Sequence, residues 1–289
     1  MPFITPFFPQ YAGNGVVEPA IRSACLIFVI LLGGCTDVIF QPTRQYVITP
    51  DAIGIAYEDI YLKASDGVML HGWRLYSGTP ASGTVLFFHG NGENISTHMA
   101  NVYWLVNEGF DVLLFDYRGY GESQGLPDLD LIVDDAELMI GYAVEQLDAG
   151  TGLVVLGHSF GASLSIYAVA HSRYKDRIRA LVSIAAFSDY HAVAQDALAR
   201  SWLFWLFQWP LSFTIDNSYS PLESIAAVSP VPLLLMHSRQ DEIIDYYHVQ
   251  ALYAAAAEPK KLITVTGDHN HVFNLQRNRE LLMDYLKGL

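Results

Sequence analysis

Apolar residues recur along this chain in two rhythms. Short, nearly continuous runs read as strands: 84–88 as one buried on both faces, 112–115 and 153–156 as buried, and 180–184, 231–236 and 262–265 as further strands. Between them, apolar residues recur at helical spacing. Over 131–146 they place Ile132, Ala136, Met139 and Ala143 on one face. Further helices are predicted from the first run to about 108, from 160 to about 171, over 246–257 and over 278–287. Ahead of this alternation, 55–62 alternates as a half-buried strand does. Ser65-Asp66-Gly67 signals a turn, and 68–76 reads as the hairpin partner. Alternating strands and helices predict an α/β fold, a mostly parallel sheet with helices on both faces, begun by an antiparallel hairpin. Ser229-Pro230 stops the chain before the strand at 231.

One strand ends in chemistry. Leu153-Val154-Val155-Leu156 runs into Gly157-His158-Ser159-Phe160-Gly161, and a helical pattern follows. In a strand–turn–helix context, G-x-S-x-G is a nucleophile elbow, with the serine exposed at the sheet edge. Ser159 is the candidate nucleophile. The Phe160 amide, at the start of the helix, is a candidate oxyanion donor. A second copy, Gly121-Glu122-Ser123-Gln124-Gly125, has no strand before it and no helix after it. It is read as loop.

Other strand ends supply the remaining parts. His89-Gly90-Asn91-Gly92 follows a buried run. A glycine-rich turn there can aim backbone amides above the sheet, and Asn91 N–H is the candidate second oxyanion donor. His89 is read as bracing that loop, and His158 as packing or shaping the elbow. After the run at 231–236, Asp241 is the candidate acid, with Glu242 and Asp245 as neighbouring competitors. After the last run, His269 is the candidate base and His271 the reserve. The chain order serine, acid, histidine is that of α/β-hydrolases. The histidines show no metal-ligand spacing, and neither a metal nor a cofactor is called for.

Composition narrows the partners. The 289 residues are 52% hydrophobic and 13% aromatic, with a net charge of −14, so the chain can bury a large core. The acidic balance, with no basic patch, argues against nucleic acid. Both cysteines, Cys25 and Cys35, precede the globular part. Arg22, a short apolar run and Leu32-Gly33-Gly34-Cys35 form a secretory signal pattern. The run is too short to span a bilayer as a helix. The last four residues resemble a bacterial lipobox. That resemblance implies an acylated Cys35 and a membrane-anchored lipoprotein of the bacterial cell envelope. Residues 1–35 are then signal and lipobox, 36–54 a tether or wrapping segment, and 55–289 the folded domain.

His89-Gly90-Asn91, Asp116-Tyr117-Arg118-Gly119-Tyr120-Gly121, the elbow, His237 to Ile243 and Gly267-Asp268-His269-Asn270 stand in the order of α/β-hydrolase-fold serine hydrolases. The chain resembles their small-cap branch, which includes serine-aminopeptidase-like and acyl-thioesterase-like enzymes. The resemblance covers about 56–289. It implies a Ser159–Asp241–His269 triad, and the Gly267-Asp268-His269-Asn270 form favours His269 over His271. The chain departs from the pattern where Ser238-Arg239-Gln240-Asp241 replaces a loop with a second carboxylate. It departs again at His271, where an aspartate is common.

The strand–helix rhythm breaks over about 188–230, the place of a cap insertion. It carries Trp202-Leu203-Phe204-Trp205-Leu206-Phe207 and runs on to Phe213. An apolar cap of this kind favours an acyl or aromatic substrate over a charged one. The expected activity is hydrolysis of small carboxylic esters or thioesters. The competing readings are a serine peptidase of aminopeptidase-like type and a non-catalytic envelope scaffold.

Overall fold

The computed structural model describes residues 40–78, 81–147, 151–200 and 208–289. The signal and lipobox segment, Cys35 included, lies outside the described residues, as does the 201–207 part of the aromatic insertion.

The strands are β1 (Tyr57–Lys63), β2 (Met69–Leu75), β3 (Gly83–Phe88), β4 (Phe110–Phe115), β5 (Leu153–His158), β6 (Ile178–Ile184), β7 (Leu233–Ser238) and β8 (Lys260–Val265). They form one eight-stranded sheet ordered β1-β2-β4-β3-β5-β6-β7-β8. β1 pairs antiparallel with β2, and β2 with β4. The remaining pairings are parallel. This is the α/β-hydrolase architecture that the resemblance implied.

The helices are α1 (Ile95–His98), α2 (Leu129–Glu145), α3 (Phe160–His171), α4 (Tyr190–Ala199), α5 (Gln208–Ser212), α6 (Pro221–Ser224), α7 (Tyr247–Ala255) and α8 (Gln276–Lys287). Successive strand residues point to opposite faces, so the continuous apolar runs feed two cores. On one face Leu86, Phe88, Val155 and Leu235 pack with Ile132 and Ala136 of α2 and Leu164 of α3. On the other, Val85, Phe87, Leu156 and Met236 pack with Met99, Trp104 and, from α8, Leu282. Among the described residues, no helix is long and apolar enough to cross a membrane.

One predicted helix is corrected. The segment after β3 is not a single helix to 108 but α1 followed by 3-10 turns at Met99–Asn101 and Tyr103–Glu108. Val102, at φ −133°, interrupts the spiral. The segment is rich in β-branched and aromatic residues, which lose rotamer freedom in a helix. The Trp104 indole N–H donates back to the Asn101 carbonyl at 2.9 Å, and its ring meets Phe273 at 5.4 Å. Tertiary packing therefore sets the shape of this segment.

Between β3 and β5 the strand order reverses direction, because β4 lies on one side of β3 and β5 on the other. Ligand sites of open α/β sheets form at such a point, beyond the strands' C-terminal ends. The loop carrying Asn91 and the elbow carrying Ser159 both emerge there.

Candidate active site

At the elbow, Ser159 adopts φ 56° and ψ −119°. A non-glycine residue there is strained, at a cost of about 1–3 kcal/mol, and persists only where its surroundings over-determine it. They do. The Ser159 N–H donates to the Ile184 carbonyl at 2.9 Å, and its carbonyl accepts from Ala162 and Ser163 at 3.0 and 3.1 Å. The flanking glycines make room for the turn. A Cβ at Gly161 would sit 2.1 Å from the Phe88 carbonyl oxygen, and one at Gly157 would sit 2.4 Å from that of Gly161. Ser159 is half-buried between two fully buried neighbours, His158 and Phe160. Phe160 opens α3, so its N–H has no carbonyl within the helix to receive it.

The loop after β3 lies against the candidate nucleophile. A Cβ added at Gly90 would come within 3.6 Å of the Ser159 Cβ. Asn91 follows, its side-chain Oδ1 accepting from Gly92 N–H at 3.0 Å and from the Tyr120 hydroxyl at 2.8 Å.

Asp241 and His269 are brought together. His269 Nδ1 is 2.7 Å from Asp241 Oδ2, and both residues are buried. Asp241 Oδ1 accepts from the amides of Ile243 and Ile244 at 2.9 and 2.8 Å. Burial alone would raise this carboxyl, but the bond from His269 and the two amides outweigh it and hold it below the usual carboxylate range. The competitors stand elsewhere. Asp245 pairs with Arg200 at 3.3 Å, and Glu242 is exposed. His271 is also exposed and points its Nδ1 at Asp268, 2.9 Å away.

Around this pair runs a row of histidines whose extent sequence reading missed. Ring centroids step from His89 to His98 (5.3 Å), to His158 (6.3 Å) and to His269 (5.0 Å). His158 Nε2 lies 2.8 Å from the His269 carbonyl oxygen, so it braces the candidate base as well as the elbow. Burial, followed by the neighbouring His269 and His98, lowers the His158 pKa to about 3. The ring is therefore neutral and donates to that carbonyl. His89 is fully buried, and burial likewise drives it well below the ordinary histidine range. It packs on Tyr117 at 4.1 Å, and the Tyr117 hydroxyl donates to the His89 carbonyl. This is the bracing role expected for it. No spacing rule could have found His98, because the loop and α1 bring it in from the far side.

Ser123, the second G-x-S-x-G serine, is fully buried. Its hydroxyl donates to the Asp116 carbonyl at 2.7 Å and accepts from His71 N–H at 2.9 Å. Among the described residues, no cluster of three or more His, Cys, Asp or Glu side chains could hold a metal ion.

The insertion between β6 and β7 carries α4, α5 and α6. Asp189 caps α4, accepting from Ala192 N–H at 2.9 Å, and its other oxygen receives Asn217 Nδ2 at 2.6 Å. Arg200 reaches the Ile243 carbonyl, two residues after Asp241. Trp209 and Phe213, four residues apart, are 61% and 63% exposed.

This geometry has relatives. Residues 79–223 match the family model described as serine aminopeptidase, S33. The uncharacterized protein YfhR of Salmonella typhi is 36% identical over 231 residues, spanning 75% of this chain and 76% of its own. The alpha/beta hydrolase domain-containing protein WAV2 of Arabidopsis thaliana is 30% identical over 268 residues, covering 88% and 83%. Among solved structures, the Pyrococcus furiosus esterase Pf2001 superposes with a TM-score of 0.68 at 23% identity, over 86% of this chain and 97% of that one. The chain belongs to the serine aminopeptidase S33 family of α/β-hydrolases.

Proposed function

We propose that this hydrolase cleaves carboxylic ester or thioester bonds through Ser159, His269 and Asp241, with the Asn91 and Phe160 amides as the oxyanion hole. The observation that carries the reading is the 2.7 Å bond between Asp241 and His269, held above the sheet beside a strained serine elbow.

The steps follow from the side chains. Ser159 Oγ attacks the acyl carbon and its proton passes to His269 Nε2. The Asp241 carboxylate holds Nδ1–H, fixing the tautomer and stabilising the imidazolium. The carbonyl π pair moves onto oxygen, where the two amides receive it. Each such donor contributes about 10²–10³ in rate. Collapse expels the alcohol or thiol, which takes the Nε2 proton. Water then attacks the acyl-enzyme by the reverse route, releasing the acid and Ser159.

The test is turnover of p-nitrophenyl and thioester substrates by wild type, Ser159→Ala, Asp241→Asn and His269→Ala. Loss of at least about 10³-fold in kcat is expected for the serine and histidine variants. Near-normal turnover by Ser159→Ala would remove the nucleophile. The family's descriptive name makes a peptidase the second reading. Faster cleavage of aminoacyl amides than of acyl esters would select it. A non-catalytic scaffold would turn over neither.

The same reading anchors the enzyme in the bacterial envelope through acylated Cys35, supported by the Leu-Gly-Gly-Cys string after an apolar run. Radiolabelled palmitate should enter wild type and not Cys35→Ala.

A further inference from the structure

Residues 40–47 belong to the 36–54 segment that the sequence marks as a tether or wrapping segment. Their contacts converge on the parts proposed to hold the oxyanion. The Gln41 N–H donates to Asn91 Oδ1 at 3.1 Å, the same oxygen that receives the Tyr120 hydroxyl. Thr43 N–H donates to the Glu93 carbonyl, and Asn94 Nδ2 returns bonds to the Thr43 and Gln45 carbonyls, each 2.9 Å. Val47 N–H reaches Ser96 Oγ at 2.9 Å. Phe40 is 7% exposed and sets its ring edge-on to Phe160 at 5.5 Å.

The loop held in this way is strained. Gly92 and Glu93 have φ of 86° and 55°. A left-handed glutamate is retained only where other contacts impose it, and this strap supplies them. Three donors meet at Asn91 Oδ1, so the strap and Tyr120 fix the side chain of the residue whose amide is proposed as an oxyanion donor.

We infer that the strap formed by residues 40–47, together with Tyr120, is a positioning element for the oxyanion hole, so that turnover depends on chain lying ahead of the family-matched region. The inference rests on the reading of the Asn91 and Phe160 amides as oxyanion donors. Gln41 acts through its backbone N–H and Tyr120 through its hydroxyl. Neither touches substrate.

The full-length chain is tested as Gln41→Pro, which deletes the N–H, Gln41→Ala, which keeps it, and Tyr120→Phe. The readouts are kcat and KM on p-nitrophenyl butyrate, Ki for an alkyl trifluoromethyl ketone, and melting temperature. The ketone mimics the tetrahedral state. Ser159 Oγ bonds to its carbonyl carbon, the π pair becomes the oxyanion and the serine proton goes to His269. Gln41→Pro and Tyr120→Phe should each lower kcat roughly tenfold, with KM within about twofold, and weaken the ketone by the same factor. Gln41→Ala should lose far less. A kcat loss without ketone weakening, or ketone affinity unchanged in both variants, overturns the inference. Should Gln41→Pro fail to fold, Tyr120→Phe, which changes one hydroxyl, decides. Wild type that does not bind the ketone, or Ser159→Ala that hydrolyses the ester normally, breaks the serine-hydrolase reading itself. Normal strap variants beside a dead Ser159→Ala break only this inference.

Discussion

His158 Nε2 donates to the backbone carbonyl of His269 across 2.8 Å, tying the residue before the elbow serine to the residue proposed as its base. The two are 111 positions apart in sequence. The bond ties the end of β5 to the loop that follows β8. Replacing His158 with Leu keeps volume and removes the donor. We expect kcat/KM to fall about 10–100-fold, since small misplacements of catalytic groups are costly. Steady-state kinetics at pH 8 checks this. A variant within twofold of wild type would show that the bond does not set the base.

Asp116 is fully buried, and burial raises its carboxyl from 3.8 to about 7 against the opposing bonds from the Tyr46 hydroxyl (2.6 Å) and Ile95 N–H (2.9 Å). The folded state therefore binds this proton more tightly than the unfolded chain. The group's stabilising contribution is full below the unfolded value and is lost as pH rises toward 7. Relative to Asp116→Asn, wild type should lose about 2–3 kcal/mol between pH 5 and pH 8. Urea unfolding at both pH values measures it, and a pH-independent difference would contradict it.

Arg118 is buried and forks onto Asp135, Nε to Oδ2 at 2.7 Å and Nη2 to Oδ1 at 2.8 Å, with Nη1 on Asp66 at 2.9 Å. It lies in the loop after β4 that also presents Tyr120. Arg118→Ala leaves a buried carboxylate unpaired and should cost about 3–5 kcal/mol. Arg118→Met combined with Asp135→Leu should cost much less. Calorimetric melting of the three proteins distinguishes the outcomes. Equal losses would mean that packing, not charge, dominates there.

Trp209 on α5 and Phe213 in the turn that follows it are both exposed and apolar. We predict that this face of the insertion contacts long acyl chains in the proposed esterase. Trp209→Ser and Phe213→Ser should leave the melting temperature nearly unchanged, because exposed side chains contribute little. They should shift the decanoate-to-acetate ratio of kcat/KM downward several-fold. An unchanged ratio would remove the cap from substrate selection.

The fold was largely legible because its central strands are buried on both faces and helices such as α2 on one, a contrast that survives in the order of residues. Leu153 to Leu156 and Leu233 to Met236 announced themselves as strands, and the glycines at 157 and 161 marked the elbow. Strand order was not legible, since nothing local says that β3 lies between β4 and β5. The segment from Ile95 to Glu108 misled because its apolar spacing is helical while Trp104 and Phe273 pull it into 3-10 turns. Contacts such as Gln41 to Asn91 and His158 to His269 join residues far apart in the chain, so periodicity carries no trace of them.

In the proposed mechanism Ser159 is the nucleophile and His269 activates it. A fluorophosphonate probe followed by peptide mapping by mass spectrometry tests it most directly. One adduct is expected, on the peptide carrying Ser159, abolished in Ser159→Ala and strongly slowed in His269→Ala. An adduct that persists in Ser159→Ala, or maps to Ser123, would contradict it.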